Sequence, residues 1–198
     1  LHCFPFLRYT NKRKDGKTMC TVEPIRQIKD IRKVMEILRQ QSFRNLLIFT
    51  IGVNCGLRIS DILALDVKDV RNKDYIELYE KKTGKYKKIP INPKLRYMIQ
   101  KYTMRRRACS PLFVSNRNKR LDRVMAWRII KEACLRAGIV EHVGTHTLRK
   151  TFGYHHYQKF NNLAMLQKMF NHSSISITLR YIGISQEEMY YSYSNFVI

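Results

Sequence analysis

From Glu23 onward, apolar residues recur every three or four positions, the period of a helix with one buried face. Asp30 is placed to cap a first helix whose apolar face carries Ile31, Val34, Ile37 and Leu38. A second helix is expected from near Ser42, with Leu46, Leu47, Phe49 and Ile51, ending around Gly52 to Gly56. A third starts near Ser60, with Asp61 in its first turn and Ile62, Leu63 and Leu65 behind it. The period then changes. Tyr75 to Glu80 and Tyr86 to Ile91 alternate as strands do, and Lys81-Lys-Thr-Gly-Lys85 joins them. This predicts a β-hairpin with a very basic tip, turning at Gly84. Helical spacing returns at about 93–104, 122–137 and 145–160, then in shorter pieces at 162–170, 174–181 and 185–196. Leu112 to Ser115 reads as a short strand. The predicted fold class is mostly α with one small antiparallel β-sheet (α+β).

Residues 1–21 lack this patterning and carry Arg8, Lys12, Arg13, Lys14 and Lys17. They read as a basic arm or a non-native leader, with Met19 as an alternative start, and 22–198 as the patterned domain. Leu1 to Leu7 is too short and lacks the basic start of a secretory signal. No run approaches eighteen apolar residues, so no transmembrane helix is expected. At 198 residues and 44% hydrophobic content, the chain can form a core.

Charge narrows the partners. Lys and Arg number 38 against 15 Asp and Glu, a formal net charge of +23. A compact domain holds that much charge against self-repulsion, and an anionic partner relieves it. Nucleic acid is the first candidate, because the basic residues run through the whole chain and are not concentrated on one amphipathic helix. The five cysteines are odd in number and widely spaced, which points to free thiols in a reducing compartment. No metal site is expected: His142 and His146 are four apart without the Glu of an H-E-x-x-H pattern between them.

Four local patterns can carry chemistry, and each has an ordinary structural reading beside it. In Gly56-Leu-Arg-Ile-Ser-Asp61, Arg58 precedes a helix and can offer a planar guanidinium to a phosphate, held by Asp61. A local Arg–Asp cap pair would look the same. The hairpin tip offers Lys81, Lys82 and Lys85 as compact proton donors, or simply as a basic edge against DNA backbone. His146 and Arg149, at i and i+3 behind a possible Thr145 cap, can meet one phosphate at a helix N-terminus. Alternatively they lie on an ordinary basic helix with Leu148 and Phe152 buried. Asn171-His172-Ser-Ser-Ile-Ser-Ile-Thr-Leu-Arg-Tyr181 holds a tyrosine that could act as a nucleophile in an electropositive pocket. Nothing local separates it from the other eleven of 12 tyrosines.

In order and spacing, these patterns together resemble the tyrosine recombinases, or phage integrase family. G-L-R-I-S-D resembles the first arginine box, H-T-L-R-K-T the second, and N-H-S-S-I-S-I-T-L-R-Y the third. The third box usually begins Leu-Gly-His, and here Phe170-Asn171 stands in place of Leu-Gly. The likeness runs over roughly residues 23–196.

The resemblance implies a DNA strand transesterification without metal, ATP or other cofactor. Tyr181 would be the nucleophile, forming a 3′-phosphotyrosine and freeing a 5′-hydroxyl. Arg58 and Arg149 would hold the phosphate oxygens. Lys82 would protonate the leaving oxygen, with Lys81 and Lys85 as alternatives. His146 would assist proton transfer, His172 would donate to the phosphate, and Asp61 would orient the site. Lys81, Lys85, Lys87, Lys88 and Lys150 would grip DNA backbone. The partners implied are double-stranded DNA and further copies of the chain, engaged through a C-terminal helix carrying Met189, Tyr190, Tyr193, Phe196 and Val197, whose apolar stripe could equally pack onto its own domain. The implied location is cytoplasmic, with the nucleoid.

Family members commonly carry a helical core-binding domain before the catalytic one. The short stretch before the first helix leaves no room for it, so a lone catalytic domain is expected here, either excised or naturally minimal. Two other functions stay open at this level. One is an inactive DNA-binding accessory protein of the same fold. The other is a related enzyme that relaxes or resolves DNA, such as a type IB topoisomerase or a telomere resolvase.

Overall fold

The computed structural model describes residues 22–140, 142–184 and 194–196. The predicted arm at 1–21 and most of the predicted helix at 185–196 lie outside the described residues, as do Met189, Tyr190, Tyr193 and Val197.

The first helix, α1 (Ile28–Gln41), buries Val34 and Leu38. Asp30 sits in its first turn but is not its cap: Gln27 holds that position and gives no side-chain bond. An acid in the first turn still meets the positive end of the helix dipole. Ser42 ends α1 and caps α2 (Phe43–Cys55), its hydroxyl accepting from the Arg44 amide. Helix α2 is apolar on nearly every side because it is the central element, packed by α1, α4 (Pro93–Thr103), α5 (Arg123–Arg136) and α6 (Thr147–Phe160). Gly52 permits the closest of these contacts, since a Cβ there would lie 2.5 Å from Leu148 Cδ1 of α6. Gly56 ends α2 at φ +60, and the chain turns at once into α3 (Ile59–Ala64).

Strands β1 (Tyr75–Tyr79) and β2 (Tyr86–Pro90) pair antiparallel, with Tyr75 opposite Pro90 and Tyr79 opposite Tyr86. Ile76, Leu78 and Ile89 face the core, while Tyr75, Glu77, Tyr79, Tyr86 and Lys88 face outward. The predicted strand at Leu112–Ser115 does not form. That stretch makes only single bridges, Asp66 to Pro111 and Val114 to Arg120. Leu112 and Phe113 are both fully buried, so the apolar run marks core packing and does not require a strand. Its backbone bonds go to two different neighbours, Leu65 and Leu121.

A second, small core closes the C-terminal side. Leu166 and Phe170 of α7 (Leu163–Phe170) and Ile182 of α8 (Ile175–Ile182) pack with Phe152 and Tyr157 of α6. Gly153 makes this possible: a Cβ there would approach Ile182 Cγ2 and Phe170 Cε2 at 2.7 Å. Asn162 and Ser174 cap α7 and α8. Helix α6 starts differently from the expectation. His146, not Thr145, is its N-cap, and Thr147 turns its hydroxyl back to accept from the Gly144 amide.

Candidate active site

Each functional side chain is held by an end or turn of these elements. Arg58 is the N-cap residue of α3, set there by the left-handed turn at Gly56. Arg149, in the first turn of α6, is 2% exposed. Its guanidinium donates to Gly56 O at 2.7 Å and Phe170 O at 3.1 Å, and stacks 4.5 Å from the Phe170 ring. A buried guanidinium persists only with such partners. His146 and Tyr181 meet across 35 residues of sequence, Nδ1 lying 3.0 Å from the tyrosine hydroxyl. His172 Nδ1 pairs with the Thr178 hydroxyl at 3.0 Å, one turn before Tyr181, which fixes the ring and leaves Nε2 as its other polar atom. Tyr181 packs against Phe170 and His172, with ring centroids 5.3 and 5.0 Å away.

Asp61 is buried and accepts from the Lys81 amide at 3.1 Å, while Arg58 Nη1 lies 3.9 Å away. It therefore pins the hairpin tip to the start of α3. Lys82 is exposed at that tip and borders an open cleft of about 360 Å³ shared with Arg58, Lys81, Arg123, Thr145 and His146.

The remaining predicted lysines are placed unequally. Lys81 and Lys85 are exposed at the tip. Lys88 is exposed on the outer face, 3.4 Å from Glu77 and 4.4 Å over the Tyr75 ring. Lys150 is only partly exposed, its ammonium 5.4 Å over the Tyr181 ring, so it sits beside the proposed nucleophile. Lys87 departs from its expected place on the DNA-gripping surface. It turns inward, donating to Met169 O at 2.6 Å and pairing with Glu80 at 2.9 Å. The pleat is the reason: position 87 shares its side with Ile89.

Glu80 is the residue that sequence reasoning missed. It is 1% exposed, 2.7 Å from Arg58 Nη1 and 3.8 Å from Arg149 Nη1. A signal was available. Glu80 follows Ile76 and Leu78 at inward parity, where a charge needs partners. Phe170, Asn171 and Thr178 were likewise read only as parts of a motif.

The electrostatics follow from crowding cations around few acids. Burial alone would raise the Glu80 carboxyl, but the Thr83 hydroxyl, Lys87 and Arg58 outweigh it and hold it at about 2. Burial, reinforced by Arg149, Arg58 and Lys82, pushes His146 below the usual histidine value. Burial, with Arg149, Arg58 and Lys87, does the same to His172. Both rings are thus neutral at pH 7. Burial lifts the Tyr181 hydroxyl to about 12 against the pull of Arg149 and Arg58. A neutral phenol thus lies beside a neutral imidazole and two guanidiniums, the groups that a tyrosine nucleophile, its base and an anion site would require. Among the described residues, no group of three or more His, Cys, Asp or Glu side chains could hold a metal ion. No helix among them is long and apolar enough to cross a membrane.

The sequence profile described as the phage integrase family matches residues 26–188. The chain is 45% identical over 179 residues to "Probable integrase/recombinase YoeC" of Bacillus subtilis (strain 168), covering 90% of this chain and 98% of that protein. It is 30% identical over 165 residues to "Tyrosine recombinase XerA" of Pyrococcus furiosus, covering 81% of this chain but 57% of that one. The fold resembles the crystal structure of XerA recombinase with a TM-score of 0.73 at 22% identity, over 94% of this chain and 68% of that one.

Proposed function

Since this chain belongs to the phage integrase family, we propose that it is a tyrosine recombinase that cuts and rejoins DNA strands through a covalent 3′-phosphotyrosine at Tyr181. Residues 22–198 form its catalytic domain. The observation that carries this reading is the Tyr181 hydroxyl 3.0 Å from His146, with its ring against Phe170, whose carbonyl accepts from the buried Arg149.

In the forward step, Tyr181 Oη bonds to phosphorus as the P–O5′ bond breaks. The phenol proton passes to His146, and Lys82 gives a proton to the departing 5′-oxygen. Arg58 and Arg149 neutralise the charge that gathers on the non-bridging oxygens, with a hydrogen bond from His172. A free 5′-hydroxyl attacks the phosphotyrosine to reverse the step, so the bond energy is conserved and no metal, ATP or other cofactor enters. Lys81, Lys85 and Lys88, exposed on the hairpin, contact backbone phosphates. Acting on DNA, the enzyme works in the cytoplasm at the nucleoid.

The test uses nicked duplexes with a randomised core. Cleavage beside the nick releases a short fragment and traps the enzyme on DNA. An adduct that survives denaturation and maps to the Tyr181 peptide by mass spectrometry supports the reading; DNA binding with no adduct on any core sequence overturns it.

Two further expectations follow. Because burial keeps the folded-state His146 below its ordinary value, it accepts the phenol proton throughout the neutral range. The rate of adduct formation should be flat through the neutral range. It should fall about tenfold per pH unit only below that lowered value. His146→Gln should remove this limb. An acid limb centred above 6.5, or one unchanged in His146→Gln, would refute the role.

The apolar stripe at Met189, Tyr190, Tyr193, Phe196 and Val197 docks on a neighbouring copy on DNA. Deleting residues 185–198 should leave cleavage of a single nicked site intact while removing complexes that hold two sites together, measured by light scattering. Unchanged two-site complexes in the deletion variant would exclude this contact.

A further inference from the structure

Glu80 ties together parts of the site that are far apart in sequence. Its Oε2 accepts from the Thr83 hydroxyl at 2.7 Å and from the Asn171 amide at 3.3 Å. Its Oε1 lies 2.7 Å from Arg58 Nη1 and 2.9 Å from Lys87 Nζ, two close charge-assisted contacts. One oxygen thus makes directed bonds to the hairpin tip and to the loop that carries His172. The other faces the Arg58 and Lys87 cations and so sets where the Arg58 guanidinium sits.

The hairpin tip depends on the same residue through its backbone. The Gly84 amide donates to Glu80 O at 2.8 Å, and the Glu80 amide donates to Lys85 O at 2.9 Å. Lys82 lies inside this closed turn, between Glu80 and Thr83. Asn171 completes the link. It adopts φ 55, a conformation that glycine takes freely and asparagine tolerates. Unlike glycine, asparagine has an amide that can reach Glu80. The Phe170-Asn171 departure in the third box therefore has a physical counterpart on the hairpin.

We infer that Glu80 is a positioning residue that fixes the hairpin tip, and with it Lys82, against the Arg58–Arg149 phosphate site, with Asn171 as its anchor on the His172 loop. This rests on the proposed recombinase chemistry. Every polar neighbour of the Glu80 side chain is a donor: Thr83, Asn171, Arg58, Lys87 and Arg149. Only a carboxylate both accepts from Thr83 and Asn171 as they are placed and offsets the charges of Arg58, Lys87 and Arg149. Glu80→Gln puts an amide donor against donors and releases the tip.

The experiment compares two nicked duplexes cut at the mapped site, one with the ordinary 5′-oxygen and one with sulfur in that bridging position. A thiolate leaves without a proton, so the sulfur ester does not need Lys82. On the oxygen ester, Glu80→Gln should slow adduct formation at least about tenfold, part of what a general acid contributes. On the sulfur ester, the same variant should come within about threefold of wild type, because positioning of the general acid no longer matters. Thr83→Val, which removes the hydroxyl's bonds to Glu80 and from the Lys85 amide at an exposed position, should show the same pattern more weakly and carries the test if Glu80→Gln does not fold. A wild-type rate for Glu80→Gln on the oxygen ester overturns the inference, as does an equal defect on both esters. If Glu80→Gln does not fold, either result in Thr83→Val does so. If wild type forms no Tyr181 adduct on either ester, the recombinase reading itself fails and takes this inference with it.

Discussion

Tyr181→Phe should form no covalent DNA adduct, at any time or enzyme concentration, while its affinity for intact DNA stays within about twofold of wild type. The substitution removes one oxygen. The phenyl ring keeps its packing against Phe170, His172 and Ile182 in the small core. The His146 Nδ1 loses its partner at 3.0 Å, a loss of about 1 kcal/mol that leaves the fold intact. No hydroxyl then faces the phosphate from α8, so the defect is total, whereas loss of a supporting donor leaves residual activity. Denaturing gel analysis of the trapped complex measures the adduct, and a gel shift measures affinity. A stable adduct in Tyr181→Phe would assign the nucleophile to another residue.

Arg149→Ala should lose both activity and stability. Arg149 joins three elements: its fork donates to Gly56 O at the end of α2 and Phe170 O at the end of α7, and it stands 3.8 Å from Glu80 in the hairpin. Truncation orphans two buried carbonyls and removes a countercharge from Glu80. Breaking such a buried set costs about 3–5 kcal/mol. Where the variant still folds, cleavage should fall by about 10²–10³ because one donor to the developing charge is gone. Arg149→Lys separates the two effects. It keeps the charge, but an ammonium cannot reach both carbonyls as the planar fork does. It should recover part of the stability and little of the rate. Chemical denaturation and single-turnover cleavage read the two quantities. If Arg149→Lys cleaves at the wild-type rate, the bidentate role is wrong.

The fold was legible wherever periodicity was strong. The helices from α2 onward began within two residues of their predicted starts, because Ser42, Asn162 and Ser174 are caps whose side chains satisfy exposed amides. Asp30 and Thr145 misled for the same reason in reverse: both are cap-type residues, yet each chain entry is fixed by other contacts. For Thr145 that contact is the bond between Thr147 and Gly144. The segment at 112–115 misled because apolar residues in a buried irregular stretch read the same as a buried strand.

Sequence by itself determined the helical period, the basic hairpin, the order of the candidate residues and the large positive charge, because each is a property of local spacing or of composition. Strand parity already turned Lys87 and Glu80 inward; tertiary structure alone decided which cations surround Glu80 and that His146 reaches Tyr181. The physical reason is that burying a charge requires partners in every direction. Those partners come from chain segments as far apart as Arg149 and Gly56, 93 residues, which only folding brings together.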